Sequence, residues 1–270
     1  MRSLKLRLKL PPWLIATALF ATPSLAVVAQ APNTDAPVMD TAATNALNRM
    51  GAYLRGLTSF QVKAETTKEN VLTDGEKIQH SAVANILASK PNRLRAELNG
   101  DDQQRLYTFD GRTFSILAAR LGYYAQAPAP GTIKQLVDVL QNKYGIDMPL
   151  ADLFSWGTDD VQTREITGAR DLGSTTVDGT TVQQFAFRQN GLDWQIWIQN
   201  GEYPLPRKLV LTTTTDDARP QYTAVLTWNL APSFNDAAFV FEPPEGAKKI
   251  VLADINVPLD KQLGSGSVKK

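Results

Sequence analysis

The sequence predicts a mainly β (α+β) fold, a meandering antiparallel sheet accompanied by two or three helices. Two observations carry this. Four dipeptides, Asp74-Gly75, Asp110-Gly111, Asp178-Gly179 and Asn190-Gly191, each lie between β-compatible runs. Asx-Gly is the strongest short-range hairpin signal, because a two-residue turn needs positive φ at its centre. Two further stretches carry apolar residues at three- and four-residue steps, the spacing of one helix face.

The chain opens on an address. Arg2, Lys5, Arg7 and Lys9 precede an apolar run from Trp13 to Ala26. Pro23 interrupts the run, which falls short of the roughly 20 residues that span a bilayer. Residues 1–26 therefore read as a signal peptide cut between 26 and 31, with small residues offered at Ser24-Leu25-Ala26 and Val27-Val28-Ala29. The chain has no cysteine, so a lipoprotein anchor, disulfides and thiol chemistry are all excluded. Export without disulfides points to a bacterial periplasm. The leader takes four of the 28 basic residues, leaving 24 against 27 acidic ones. A net charge of about −3 without a basic run argues against nucleic acid as a partner.

Residues 27–39, rich in Ala and Pro, read as a linker. Asp40 then caps a helix whose face is Ala43, Ala46, Leu47, Met50, Tyr53, Leu54 and Leu57. A second helix starts at Thr132, with Ile133, Leu136, Val137, Leu140 and Tyr144 in phase. A shorter one is expected over Pro149–Trp156. Most of the rest reads as strand, down to a last strand near Ile250 and a polar tail over 253–270.

Hairpin arithmetic fixes one region closely. With Asn190-Gly191 as a two-residue turn, Gln189 faces Leu192, Phe187 faces Trp194, Phe185 faces Ile196 and Gln184 faces Trp197. Alternation then gathers Phe185, Phe187, Trp194, Ile196 and Ile198 on one face and puts Trp197 on the other. The Asp178-Gly179 turn extends the apolar row to Leu172. Such a face is either plain core or the lining of a ligand cavity. Pro204 and Pro206 are expected to stop strand pairing after this hairpin.

Little points to catalysis. The single histidine, His80, is expected opposite Glu69 from the Asp74-Gly75 register, a solvated pair with no further ligands or nucleophile in a spacing that suggests a metal or catalytic site. No nucleophile elbow, phosphate loop or dinucleotide fingerprint occurs. The doublets Asp101-Asp102, Asp159-Asp160 and Asp216-Asp217 fall in expected turns. No catalytic residue, metal or cofactor is assigned.

Several stretches resemble a known family. They are YLRGLTSFQVKAE (53–65), KPNRLRAELNGDDQQRLYTFDGRTFSIL (90–117), YAQAPAPGTIKQLVDVL (124–140), MPLADLF (148–154), DWQIWIQNGEYPLPRKLVLT (193–212) and FVFEPPEGAKKI (239–250). Over residues 40–252 the chain resembles the bacterial predicted periplasmic proteins of domain of unknown function 2092. The family pattern expects His-Leu-Ala-Phe where this chain has Gln184-Phe185-Ala186-Phe187, so any role of that histidine is absent here. The family is similar in architecture to the LolA/LolB-like lipoprotein carriers, which implies a strongly curved antiparallel sheet, an open half-barrel with helices over its hollow.

That resemblance implies a non-enzymatic periplasmic protein holding a lipid, an acyl chain or a lipoprotein. An envelope sensor that binds a protein partner is the alternative, and an unrecognised hydrolase a third reading. Burying hydrocarbon gains about 0.8 kcal/mol per CH₂, on the order of 12 kcal/mol for a chain of about 15 carbons. The expected floor is Leu172, Phe185, Phe187, Trp194, Ile196 and Ile198. Leu136, Val137 and Leu140 form the lid, Tyr123 and Tyr124 the rim, and the AQAPAPG segment (125–131) a flexible arm for the lid.

Overall fold

Alternation of apolar and polar residues along many short runs has one outcome: a sheet with a single face to bury. A computed structural model describes residues 38–129, 131–156 and 164–257. Helix α1 (Thr41–Gly56) comes first. Six strands follow: β1 (Ser59–Val71), β2 (Lys77–Ser89), β3 (Arg93–Gly100), β4 (Gln104–Phe109), β5 (Thr113–Ala118) and β6 (Tyr123–Pro128). Helix α2 (Ile133–Tyr144) then leads to β7 (Gly168–Val177), β8 (Thr180–Gln189), β9 (Leu192–Gln199), β10 (Pro206–Thr213), β11 (Gln221–Asn229) and the short β12 (Lys248–Ile250).

All twelve belong to one open, curved sheet in the order β12-β6-β5-β4-β3-β2-β1-β11-β10-β9-β8-β7. It consists of two meanders, β1–β6 and β7–β11, joined where β1 pairs antiparallel with β11. The connection from β6 to β7 therefore travels from one side of the sheet to the other edge, and it carries α2.

The inner face is apolar from edge to edge. It includes Val62 and Ala64 of β1, Ile86 of β2, Leu94 of β3, Phe109 of β4, Phe114 of β5, Leu226 of β11 and Ile196 of β9, all buried. Alanines recur there (Ala64, Ala84, Ala88, Ala96 and Ala224), each without exposed surface. Curvature crowds the side chains on the inner side of a sheet, and small residues let a helix approach. Ala43, Ala46, Leu47, Met50 and Leu54 of α1, with Ile133, Leu136, Val137 and Leu140 of α2, complete the same core cluster.

Both helices begin as their sequences require. The Asp40 carboxylate accepts from the Ala42 N–H at 2.8 Å. Thr132 and Gln135 form a reciprocal capping box, Oγ1 accepting from Gln135 N–H and Gln135 Oε1 from Thr132 N–H. The outer face is covered only in part. The segment after β11 crosses it, burying Phe239 and placing Arg93 on Asp236, before β12 pairs parallel with β6. Beyond β12, Ile255 N–H donates to Lys143 O and the Asn256 amide to Asn142 O, both at 2.8 Å.

The β8–β9 register is the expected one, residue for residue, from Gln189↔Leu192 to Gln184↔Trp197. Arg188 grips Asp193 through two bonds of 2.8 and 3.1 Å. Trp197 lies on the outer face, 9% exposed, with the Lys208 ammonium 4.7 Å above its ring.

Several expectations are corrected. Leu172 does not face Phe185: a bulge makes Asp171 the partner of Phe185 and Gly173 that of Gln184. Gly173 takes φ 93° while the Asp171 carboxylate accepts its N–H, which ejects Leu172 to 49% exposure. His80 faces Lys68, not Glu69. Leu72 N–H bonds Glu76 O at 2.8 Å, so the loop is the three residues Thr73–Gly75 with Gly75 at positive φ, and the register moves by one. The β4–β5 hairpin turns on Gly111-Arg112, since Asp110 spends its carboxylate on the N–H groups of Arg112 and Thr113. Residues 125–128 of the expected flexible arm are strand, paired with β5. Pro149–Trp156 reduces to a 3₁₀ turn over Ala151–Phe154. Pairing resumes at Pro206 itself, the first residue of β10, where no donor is missed. The leader, residues 27–37 of the linker, Asp159-Asp160 and residues 258–270 lie outside the described residues.

The bulge generates a contrast that urea unfolding checks. Ile196→Ala should lower stability by about 2–5 kcal/mol, as buried truncations do, whereas Leu172→Ala should stay within about 0.5 kcal/mol of the parent.

Candidate functional site

The helices do not fill the hollow completely. A cavity of about 650 Å³ remains between the inner face and the segment that follows α2. Its floor comes from the ends of five strands and β10: Thr66 and Lys68 (β1), His80 and Ala82 (β2), Leu98 (β3), Arg105 and Tyr107 (β4), Leu209 and Leu211 (β10), and Tyr222 (β11). Its roof is Val137 and Gln141 of α2 followed by Gly145–Asp152.

The local sequence explains the roof. Gly145 adopts φ 61° and ends α2, and Ile146 N–H reaches back to Leu140 O at 2.9 Å. The chain then passes Met148, which is buried, and Leu150, held at φ 54°. A leucine in that region costs of order 1–3 kcal/mol of backbone strain and persists only where its surroundings hold it. Leu150 is packed against the core and lines the cavity.

The cavity is two-natured. Leu98, Leu209, Leu211, Val137, Met148 and Leu150 form apolar walls, while Lys68, His80, Arg105, Asp102, Asp147 and Asp152 bring charge or polarity to its edge. His80 Nδ1 lies 3.3 Å from Asp101 Oδ1. The Asp101 carboxyl is held below its ordinary value, chiefly by the Ser81 N–H bonded at 3.0 Å and further by His80. His80, Asp101 and Asp102 each bring one ligand atom within 4.8 Å of the others, but the carboxylates are exposed and one already serves Ser81, so no metal is assigned. Burial pushes the Tyr222 phenol up to about 12, with Asp152 adding to the effect. Tyr107 is likewise raised by burial, with Arg105 opposing.

A second cleft, about 390 Å³, lies between α1 and the β8–β9 strands, lined by Ala46, Arg49, Phe185, Ile198 and Pro204 among others.

The expected site residues divide accordingly. Val137 lines the larger cavity, and Phe185 and Ile198 line the smaller cleft. Phe187, Trp194, Ile196, Leu136 and Leu140 are buried in the core cluster, with the Phe187 and Trp194 rings stacked at 4.3 Å. Leu172 is on the bulge. Tyr123 is exposed on β6, and Tyr124 packs on Phe241 at 5.5 Å. Lys68, Arg105 and Tyr222 were not anticipated. Their signal was parity: Lys68 continues the buried series Phe60, Val62, Ala64, Thr66, and Arg105 precedes Tyr107 and Phe109 on the same face. A charged residue on the core face of a strand marks the place where core gives way to cavity.

The family described as "Predicted periplasmic protein (DUF2092)" matches residues 43–253. The chain belongs to this family. No curated protein matches it. Solved structures similar to this DUF2092 member include the lipoprotein LppX of Mycobacterium tuberculosis, 14% identical with a TM-score of 0.44, covering 73% of this chain and 100% of that one. LprF of Mycobacterium bovis is 12% identical at TM-score 0.37, covering 79% and 100%. The LolA superfamily protein NE2245 of Nitrosomonas europaea is 9% identical at TM-score 0.35, covering 74% and 97%.

Tyr222 gives the site a pH signature. Its ordinary value is 10.0 and its folded one about 12, so the unfolded chain loses this proton first. The stability attached to the neutral phenol is complete below pH 10 and is lost as pH rises through about 12. Tyr222→Phe should remove one late-titrating phenolate from the ultraviolet titration and flatten the fall of the urea midpoint across that window.

Proposed function

We propose that this DUF2092 protein is a non-enzymatic binding protein of the periplasm that holds a lipid or a lipid-anchored segment. The observation that carries the reading is the 650 Å³ cavity with leucine, valine and methionine walls under the roof segment. That volume falls within the roughly 300–1,000 Å³ of small-molecule sites, and its apolar walls suit hydrocarbon. A chain of about 15 carbons represents on the order of 12 kcal/mol if fully buried, so even partial burial there gives a carrier a strong hold. The family's description as periplasmic and the expected leader support a location in the aqueous space where a lipid needs such cover.

In this reading the acyl chain lies against Leu209, Leu211 and Leu98, with Val137 as the contributing lid residue of α2. Phe187, Trp194, Ile196, Leu136 and Leu140 act as the rigid backing of the wall. Phe185 and Ile198, in the smaller cleft, are a second place for a chain end. The one histidine at the site is paired with the exposed Asp101 carboxylate at the cavity edge, away from the apolar walls that carry the reading.

Binding of a fluorescent fatty-acyl probe tests the reading. Leu211→Glu puts a carboxylate into the apolar wall at a half-buried position and should weaken the probe at least about tenfold, or 1.4 kcal/mol, with the far-ultraviolet circular dichroism unchanged. Leu172→Glu, at the exposed bulge, should bind like the parent. Equal binding by all three proteins would remove the cavity from the account.

A further inference from the structure

The charges at the cavity edge are sorted by element, and the sorting bears on what enters. The two permanent cations, Lys68 and Arg105, stand on the sheet side, on β1 and β4. Two of the three carboxylates, Asp147 and Asp152, come from the roof segment, and the third, Asp102, from the β3–β4 turn. Among the described residues no ion pair joins Lys68 or Arg105 to Asp102 or Asp147. Both signs of charge therefore line one cavity. Leu209, Leu211 and Met148 supply the apolar space next to them.

Resting on the reading that this cavity holds a lipid chain, we infer that its ligand is a single-chain amphiphile whose headgroup carries a cation and an anion side by side, the chemistry of an amine-bearing lysophospholipid. An ammonium alone would meet Lys68 and Arg105, and a phosphate or carboxylate alone would meet Asp102 and Asp147. A headgroup with both satisfies both sets: phosphate oxygens accept from the Lys68 ammonium and the Arg105 guanidinium, and the headgroup amine donates to Asp147 and Asp102. Size argues for one chain. About 650 Å³ holds a small-molecule-sized ligand, not two full acyl chains with their headgroup.

The test is calorimetry or native mass spectrometry of the full mature chain with four amphiphiles of equal chain length, below their micelle concentrations. They are a lysophosphatidylethanolamine, a lysophosphatidylglycerol, a monoacylglycerol and an alkyl trimethylammonium. The inference expects the lysophosphatidylethanolamine to bind about tenfold tighter than each of the others. It expects Lys68→Gln with Arg105→Gln to erase that margin over monoacylglycerol, and Asp147→Asn to narrow it from the other side, with binding of the uncharged amphiphile kept in every variant. Equal affinity for all four, or a preference for the purely anionic or cationic one, overturns the headgroup inference and leaves the lipid cavity standing. No binding of any amphiphile overturns both. The parent protein's ranking decides the matter even where a variant folds poorly.

Discussion

A sheet of twelve strands that curves and stays open has an inner face too apolar to leave wet, and the rest of this molecule answers to that face. Phe60, Val62, Ile86, Leu94, Phe109 and Ile196 are all buried on it, and among the described residues no second sheet closes over them. The cover has to come from the chain itself. Helix α1 and helix α2 supply it, each with a single apolar stripe that joins the alanines of β1, β2, β3 and β11 in one core cluster. The same demand explains the long route from β6 to β7: a connection between strands at opposite parts of the sheet crosses the hollow and leaves α2 there.

Two helices cover most of the inner face but not all of it. Past Gly145 the roof is irregular chain, and the side chains beneath it change from leucine and phenylalanine to Lys68, His80, Arg105 and Tyr222. A cavity with greasy walls and a charged edge arises at that boundary. Its chemistry follows from the fold rather than from a catalytic motif: apolar contact deep inside, opposite charges at the edge, and phenols whose protons are held by burial.

Much of this was legible in the sequence. Asp40 and Thr132 announced the helix starts, because a capping oxygen before an apolar stripe has few other uses. Asn190-Gly191 sets the β8–β9 register, which brings Phe187 opposite Trp194 as hairpin arithmetic requires. The failures are equally physical. A three-residue loop at Thr73–Gly75 and a two-residue one differ by a single hydrogen bond, yet the difference carried His80 from Glu69 to Lys68. Gly173 permitted a bulge that alternation does not foresee, and Leu172 left the inner face. The position of the cavity was hidden for another reason. Periodicity reports which residues face inward, but not which of them the rest of the chain will cover; the aromatic β8–β9 face is largely buried in the core cluster, and the larger open space lies against β1, β2, β3, β4, β10 and β11.

The claim that the inner face retains room for a lipid chain is tested most directly by the mass of the native protein. Mature chain purified gently from a periplasmic extract, without detergent, should carry an added mass of lipid size that solvent extraction removes and that is smaller than a two-chain phospholipid. A bare mass before extraction, with no uptake when single-chain lipids are added back, would contradict the account and make the inner face a core and nothing more.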